Sequence, residues 1–235
     1  MQTTAPKSRS GKHAAYAALT IFLVATMPRA AGEDVSERIG KAVAVLNKLG
    51  DCPGTCLQQE EFAGVDCVAV IPRFYRGAAV AGEVFEGGLL LETSFGRGFI
   101  SCRLGEGWSA PGAVTMEGGS RAIQIGENID VVILWIGTQT LSQMLAHRFT
   151  IDVAVSSPSA NGNSASADPE VKILVLGGDG KTSGIDLEGA VLRPDDSANR
   201  ALYGKFKNAG IAVGGIVIPP RVQPLVSSLS AVFHR

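Results

Sequence analysis

Residues 96–135, GRGFISCRLGEGWSAPGAVTMEGGSRAIQIGENIDVVILW, contain short apolar runs of β type that glycines separate. Glycine permits tight turns, bulges and close approaches between backbones at little steric cost. The apolar runs, such as residues 131–135, supply side chains for a core. This stretch therefore predicts a compact, tightly turned sheet. Trp108 follows a Gly-rich turn and is expected to pack its ring over the sheet, with the lining of a ligand pocket as the alternative.

The composition is that of a globular protein with an export signal. Of 235 residues, 46% are hydrophobic and 18% are charged, which excludes a disordered protein. Lys7, Arg9 and Lys12 precede an apolar run at 14–27, and small residues follow, which is typical of a secretory signal peptide. The run is shorter than the roughly twenty residues of a spanning helix, so an uncleaved anchor is the weaker alternative. We predict a signal peptide at 1–32 and a single domain at 33–235.

The net charge argues against one class of partner. Residues 1–32 contain four basic residues and no acidic ones, so removing them moves the formal net charge from −1 to about −5. Nucleic-acid binding needs a basic field, and we therefore expect no nucleic-acid partner. Any contact with anionic lipid must come from a local basic patch.

The four cysteines, Cys52, Cys56, Cys67 and Cys102, all lie beyond the predicted signal. An even number of cysteines in an exported protein favours disulfides, and we predict the pairs Cys52–Cys56 and Cys67–Cys102. Free buried thiols and a zinc site are the alternatives. The zinc site lacks a C-x-x-C pair and a nearby histidine, so we predict no metal and no cofactor.

Residues 34–49 have apolar side chains at the spacing of one helix face, with Asp34 or Ser36 as the cap and Gly50 at the end. Such an amphipathic helix packs onto its own domain by default, and insertion into a membrane interface is the alternative. The residues of this helix that we assign to lipid contact are Ile39, Val43 and Leu46 on the apolar side and Arg38, Lys41 and Lys48 among the cations.

A second candidate for lipid contact is Arg73-Phe74-Tyr75-Arg76, in which two cations bracket two aromatic rings. It follows a predicted strand at 67–71 that Pro72 is expected to end. The rings suit a membrane interface and the guanidinium groups of Arg73 and Arg76 suit phosphates. A solvated loop with both rings turned inward is the alternative.

The remaining segments predict an α+β domain without a catalytic motif. His147 and Asp152 could form part of a hydrolase triad, but no G-x-S-x-G motif accompanies them. Residues 177–184, GGDGKTSG, lack the first glycine of a phosphate-binding loop and predict a hairpin turn. Residues 156–169 are polar and of low complexity, which predicts a mobile loop inside the domain. Further strands are predicted at 77–84, 88–93, 130–136, 149–155, 171–176 and 184–192, and further helices at 139–147, from 194 to about 207, and near the C-terminus.

Several short motifs occur in an order that resembles the SYLF-domain lipid-binding family. They are residues 67–72 (CVAVIP), Gly96-Arg97-Gly98, residues 108–111 (WSAP), Gln124-Ile125-Gly126, Asp130 with its apolar strand, Gly184 with Glu188-Gly189, and Asn199 with Tyr203-Gly204. The resemblance covers roughly residues 55–230. The chain departs from the family pattern at 156–163 and at 176–180.

This resemblance implies a single α+β domain that binds phospholipids, partly through an N-terminal amphipathic helix at 33–50, with actin binding in some fungal members. An exported protein does not meet actin, so we expect no actin partner. We therefore expect a non-enzymatic envelope protein that binds anionic phospholipid, with a compact, mainly antiparallel sheet and flanking short helices. The alternative is a structural or protein-interaction scaffold of the periplasm that does not bind lipid.

Overall fold

Three helices and one antiparallel sheet make up the part of the chain that the computed structural model describes, residues 34–51, 64–81, 89–118, 128–136, 149–151, 171–176, 187, 189–204, 211 and 216–234. The side chains of 76–81, 89–93 and 149 are outside this description. Cys52, Cys56, His147, Asp152, the predicted signal, the helix at 139–147, the turn at 177–184 and the loop at 156–169 also lie outside it, and those predictions stay predictions.

The elements follow one another as α1 (Val35–Gly50), β1 (Val65–Ala81), β2 (Leu89–Leu104), β3 (Gly107–Trp108), β4 (Gly112–Glu117), β5 (Asn128–Ile136), β6 (Phe149–Ile151), β7 (Val171–Leu176), β8 (Ala190–Pro194), α2 (Asp196–Tyr203) and α3 (Gln223–Val232). The strands pair in the order β6-β8-β4-β2-β1-β5-β7, and β3 pairs with β2. The described strand pairs are all antiparallel, and the sheet curls into a half-barrel. The predicted α+β class is confirmed.

The sheet has two faces of different composition. Residues on the same side of paired strands share a face, because successive side chains of a strand point in opposite directions. One face carries Val70 and Phe99, which contact Leu225 and Leu229 of α3, and we call it the helix face. The crevice between α3 and this face has no room for a water molecule, so the sheet and helix are closely packed there.

On the opposite face, strands β1 and β2 approach each other closely, and a disulfide joins them. A Cβ on Gly98 would lie 1.9 Å from the carbonyl oxygen of Val70, so β1 and β2 approach more closely than an alanine would allow. Cys67 and Cys102 are directly opposed on these strands, and a disulfide joins them with an S–S distance of 2.02 Å. The structure thus contains one of the two disulfides proposed from the sequence.

Strand β1 corrects the expectation that Pro72 ends a strand. The strand continues through Pro72 to Ala81. Between the pairs Val70–Phe99 and Tyr75–Phe95, β1 advances five residues while β2 moves back four, so one extra residue forms a β-bulge. A bulge tolerates proline, because its extra residue does not need a ladder hydrogen bond.

The bulge is held from the neighbouring strand. Arg73 has a φ of 51°, a conformation that a non-glycine residue rarely adopts without support. Its backbone N–H donates to Asp130 Oδ1 at 3.0 Å. Lys48 Nζ of α1 donates to the other oxygen of Asp130 at 3.1 Å. Asp130 therefore connects the bulge in β1 to the C-terminal end of α1.

Helix α2 attaches to β4 through two polar side chains on one face. The amide of Asn199 accepts from the N–H of Ala113 at 2.7 Å and donates to its carbonyl oxygen at 3.0 Å. One turn later the hydroxyl of Tyr203 donates to the carbonyl oxygen of Pro111 at 2.6 Å. Burial raises the pKa of this hydroxyl well above its ordinary value. Asn199 and Tyr203 of the family motif therefore hold the helix against the sheet.

Trp108 packs its ring over the sheet, which is the first of the two interpretations made from the sequence. Its ring is buried, meets the ring of Phe233 edge-on at 5.8 Å between centroids, and lies 4.8 Å below the guanidinium carbon of Arg103. Arg103 in turn donates to the carbonyl oxygens of Val65 and Phe233. Trp108 therefore helps to fasten the C-terminal end of α3 onto β2 and β3.

Candidate functional site

The apolar side of α1 faces the protein. Ile39 and Leu46 are buried, and Val43 is half-buried and packed against the same core. This is the default arrangement expected of an amphipathic helix. A membrane role for these three residues stays a prediction, and it requires α1 to leave the sheet.

The cations of α1 are also engaged. Arg38 is only 2% exposed, and its Nη1 lies 2.9 Å from Asp195 Oδ2. Its guanidinium also lies over the ring of Phe99, 5.9 Å from the centroid. Lys41 pairs with Glu37 at 2.8 Å, and Lys48 pairs with Asp130. Arg38 thus fastens α1 to the domain, and a lipid phosphate could not reach it without displacing Asp195.

The Arg73–Arg76 cluster is divided by the bulge. Phe74 is fully buried, whereas Tyr75 is 43% exposed and Arg73 is exposed. Phe74 is therefore turned inward, as the alternative interpretation expects of both rings, and lipid contact by the exposed Tyr75 stays a prediction. Arg76 lies in β1, and its side chain is outside the described part of the chain.

Tyr75 belongs to a row of residues that crosses the helix face beyond α1 and α3. Strand register places Tyr75 opposite Phe95, which is 37% exposed, and continues the row over β5, β4, β8 and β6. All six members are exposed or half-buried. We call this row the open strip, and its members are Asn128, Tyr75, Phe95, Glu117, Val191 and Thr150.

A second row lies between the open strip and the covered part of the sheet. Arg97 of β2 is paired in register with Thr115 of β4, which is paired with Arg193 of β8. The guanidinium of Arg97 lies over the ring of Phe95, 5.2 Å from its centroid. Arg193 is 47% exposed and forms an ion pair with Glu117. The two exposed rings, Tyr75 and Phe95, therefore lie next to a row that contains two arginines.

Sequence reasoning did not assign Phe95, Arg97, Thr115 or Arg193 to a functional site. One signal was present, because the alternation Phe95-Gly96-Arg97-Gly98 places the two larger side chains on one face of a strand. Which face the helices leave uncovered depends on the crossing of α1 and α3, and no residue near 95 encodes that. The position of Tyr75 depends on the bulge, which the interpretation of Pro72 as a strand end concealed.

The row Arg97, Thr115 and Arg193 and the open strip together form a partly exposed surface with aromatic and cationic side chains, a composition that is enriched at binding interfaces. Among the residues that the structure describes, no group of His, Cys, Asp or Glu is placed to hold a metal ion. Within the same residues, no helix is both long and apolar enough to cross a membrane.

Comparison with known proteins identifies the domain. Residues 117–232 match the family model Ysc84, described as "Las17-binding protein actin regulator". Ysc84 is the SYLF-domain family, so the predicted resemblance to that family is confirmed over this part of the chain. It is a family of binding domains, and relatives in it bind actin and lipids.

One relative is an SH3 domain-containing protein of Schizosaccharomyces pombe, 28% identical over 167 residues. The match covers 63% of this chain and 37% of the yeast protein, so the chain spans well under half the length of that relative. No solved structure gives a significant match.

Proposed function

We propose that this protein is a non-enzymatic, exported envelope protein that binds anionic phospholipid membranes, and that the open strip is its membrane contact. The observation that carries the proposal is the pair of exposed rings, Tyr75 and Phe95, with Arg73 and Arg97 beside them. Aromatic rings favour the interface between lipid and water, and each cation near an anionic surface contributes about 1 kcal/mol. Lipid binding by relatives in the family supports the same function.

The location in the envelope rests on other features. The pattern of residues 1–32 is that of an exported protein, and the Cys67–Cys102 disulfide suits an oxidising compartment. With the signal removed, the net charge is about −5, so attachment must depend on a local group of cations. We expect such attachment to be reversible and to weaken as salt is added.

Flotation with lipid vesicles tests the contact, using the protein as the expressing host processes it. Vesicles that contain phosphatidylglycerol should carry it upward, and vesicles of phosphatidylcholine alone should carry much less. The double variant Tyr75→Ser/Phe95→Ser should lose about 2 kcal/mol of partitioning, roughly 30-fold, because two partly exposed rings no longer enter the interface.

Leu104→Ser is the matched control for this experiment. Leu104 is 43% exposed at the other end of β2, so the variant removes exposed apolar surface away from the strip. It should float like the wild type. Equal flotation of the wild type and the double variant would remove the open strip from the proposal.

Hydrogen exchange separates the open strip from α1 as the membrane contact. If the strip makes the contact, the amides of α1 should keep their protection when vesicles are added, because Ile39 and Leu46 stay in the core. If α1 detaches and inserts, its amides should exchange faster or acquire a different protection pattern on vesicles. Loss of protection in α1 upon binding would favour the helix over the strip.

The scaffold alternative has one observation in its favour, the burial of the apolar side of α1. A domain whose amphipathic helix is part of the core needs no membrane to be stable. If the wild type floats with none of the vesicles, lipid binding is wrong. The open strip would then be a candidate protein contact, because exposed aromatic residues beside arginines are enriched at protein interfaces.

A further inference from the structure

The row formed by Arg97, Thr115 and Arg193 has the geometry of a small site. Thr115 lies on the middle strand, and directly opposed side chains on neighbouring strands have Cβ atoms about 5 Å apart. Two arginine residues therefore lie on either side of one threonine on the same face of the sheet. The row borders the open strip on one side and the covered pair Phe99–Ala113 on the other.

Two polar atoms of this row lack partners. Arg97 Nε and Thr115 Oγ1 are both buried and have no hydrogen-bond partner in the structure. Thr115 is 9% exposed as a residue. Buried polar groups are nearly always hydrogen-bonded, and an exception calls for a missing partner such as an ion or a water molecule. Arg38 Nε, Trp108 Nε1 and Trp135 Nε1 also have no hydrogen-bond partner in the structure, but Arg97 and Thr115 are directly opposed, so one ligand could serve both.

The charges around the row favour an anion. Within the described residues, the contact made by the Arg97 guanidinium is with the ring of Phe95, and no carboxylate faces it. Arg193 has Glu117 as its partner, in the neighbouring row. On the covered side, Asp195 is already held by Arg38. The row therefore keeps one positive charge that no described carboxylate balances, and a metal cation would be repelled.

We infer that the Arg97–Thr115–Arg193 row binds a phosphoryl group, and that a membrane lipid supplies it. A phosphoryl group presents several strong acceptor oxygens, which suit the planar fork of arginine and the hydroxyl donor of threonine. The neighbouring rings of Tyr75 and Phe95 would lie at the same depth as lipid phosphates. The lipid source rests on the proposed function, whereas the affinity for phosphate does not.

Thr115→Val tests the site with inorganic phosphate as the probe. Binding to the protein as the host processes it is measured by isothermal titration calorimetry and by broadening of the phosphorus NMR signal. The variant keeps the shape of the side chain and removes the hydroxyl, so phosphate affinity should fall about tenfold. Its melting temperature should not fall, because the hydroxyl that is removed has no partner to lose. Unchanged phosphate affinity, or no phosphate binding by the wild type, would overturn the site.

Ser227→Ala is the control for loss of a hydroxyl group. Ser227 is exposed on α3, outside both the row and the open strip, so this variant should leave phosphate affinity unchanged. Glu117→Gln gives an effect of opposite sign. It frees Arg193 from a competing carboxylate, so phosphate should bind several-fold more tightly. Weaker binding of phosphate by Glu117→Gln would contradict the role of Arg193.

Vesicle flotation identifies the source of the phosphoryl group. Phosphatidic acid exposes a phosphomonoester and phosphatidylglycerol a phosphodiester, so the wild type should prefer vesicles with phosphatidic acid. Thr115→Val should lose that preference and still float with phosphatidylglycerol. Phosphate binding that depends on Thr115, without flotation of the wild type, would keep the site and overturn the lipid source. Flotation that Thr115→Val leaves unchanged, without phosphate binding, would overturn the site and keep the proposed function.

Discussion

Phe95 and Phe99 of β2 each have an arginine over the ring, and one of these arginines is buried while the other lies beside an exposed surface. Arg38 lies over Phe99, is buried under α1, and is paired with Asp195. Arg97 lies over Phe95, next to the open strip. Phe95 precedes Phe99 by four residues and lies on the same face of β2. Within the described residues no carboxylate pairs with Arg97. A carboxylate and a helix hold Arg38 inside the fold, whereas Arg97 lies beside the exposed row and has neither among the described residues.

Replacing each arginine by alanine should separate the two roles most strongly. Arg38→Ala leaves Asp195 as a nearly buried carboxylate without its ion pair, which should lower the free energy of unfolding by about 3–5 kcal/mol. Arg97→Ala should change it by less than about 1 kcal/mol, because no ion pair is broken there. Urea denaturation followed by circular dichroism measures both values. Comparable losses in the two variants would mean that the two pairs do not differ in the way described.

Removing the Cys67–Cys102 disulfide should weaken the fold without changing the open strip. The bond joins β1 and β2 on the face opposite the helices and closes a loop with a sequence separation of 35 residues. The loop-entropy relation gives a loss of about 4 kcal/mol for Cys67→Ala/Cys102→Ala. Vesicle binding by the fraction that remains folded should equal that of the wild type. A binding defect larger than the loss of folded protein would show that the two regions are coupled.

Gly98→Ala should disturb the backbone beneath both arginine–phenylalanine pairs. The added methyl group would meet the Val70 carbonyl oxygen, and β1 and β2 must separate to admit it. We expect a loss of about 2–3 kcal/mol in thermal or urea unfolding. Gly107→Ala is the control, since the atom nearest to its added Cβ is 3.9 Å away. A neutral Gly98→Ala variant would contradict the close approach of the two strands.

Asp130→Ala should have the smallest effect on stability and a selective effect on Tyr75. The change removes the acceptor for the Arg73 N–H and the partner of the exposed Lys48, for a loss of about 1 kcal/mol. Tyr75 should become less well positioned, and vesicle affinity should fall about twofold to threefold. Asp130→Asn keeps one acceptor oxygen and should lie between alanine and the wild type. A variant with full vesicle affinity would show that the bulge positions Tyr75 without Asp130.

Local patterns predicted the covered part of the molecule well. The apolar spacing of residues 34–49 predicted α1, and Asp34 caps it through a hydrogen bond to the Ser36 N–H. The apolar run at 171–176 predicted β7 at its observed bounds. These elements are predictable because the same apolar side chains produce the periodic pattern and are buried in the core. The motif order also indicated the family.

The open strip was not predictable in this way, because it depends on what lies over the sheet. Phe95 and Phe99 share a strand face, and sequence alone does not say that α1 crosses one and leaves the other. The partner of Arg38 is Asp195, which is 157 residues away. Tyr75 points outward only because Pro72 and Arg73 lie in a bulge. The assignment of Arg38 to lipid contact followed from its helix position and stays a prediction, although the ion pair with Asp195 opposes it.

The bulge at Pro72 and Arg73 sets the phase of everything after it in β1. With a single residue inserted, Phe74 faces the core and Tyr75 faces the solvent, whereas an uninterrupted alternation from Val70 would exchange the two. If β1 kept its present length and ran through this point without a bulge, this end of the strand would turn inside out, with a tyrosine hydroxyl inserted into the core and a phenylalanine placed in water. One extra residue therefore decides which side chains the domain displays here, and deletion of Arg73 should remove the bulge and leave Tyr75 opposite Phe95.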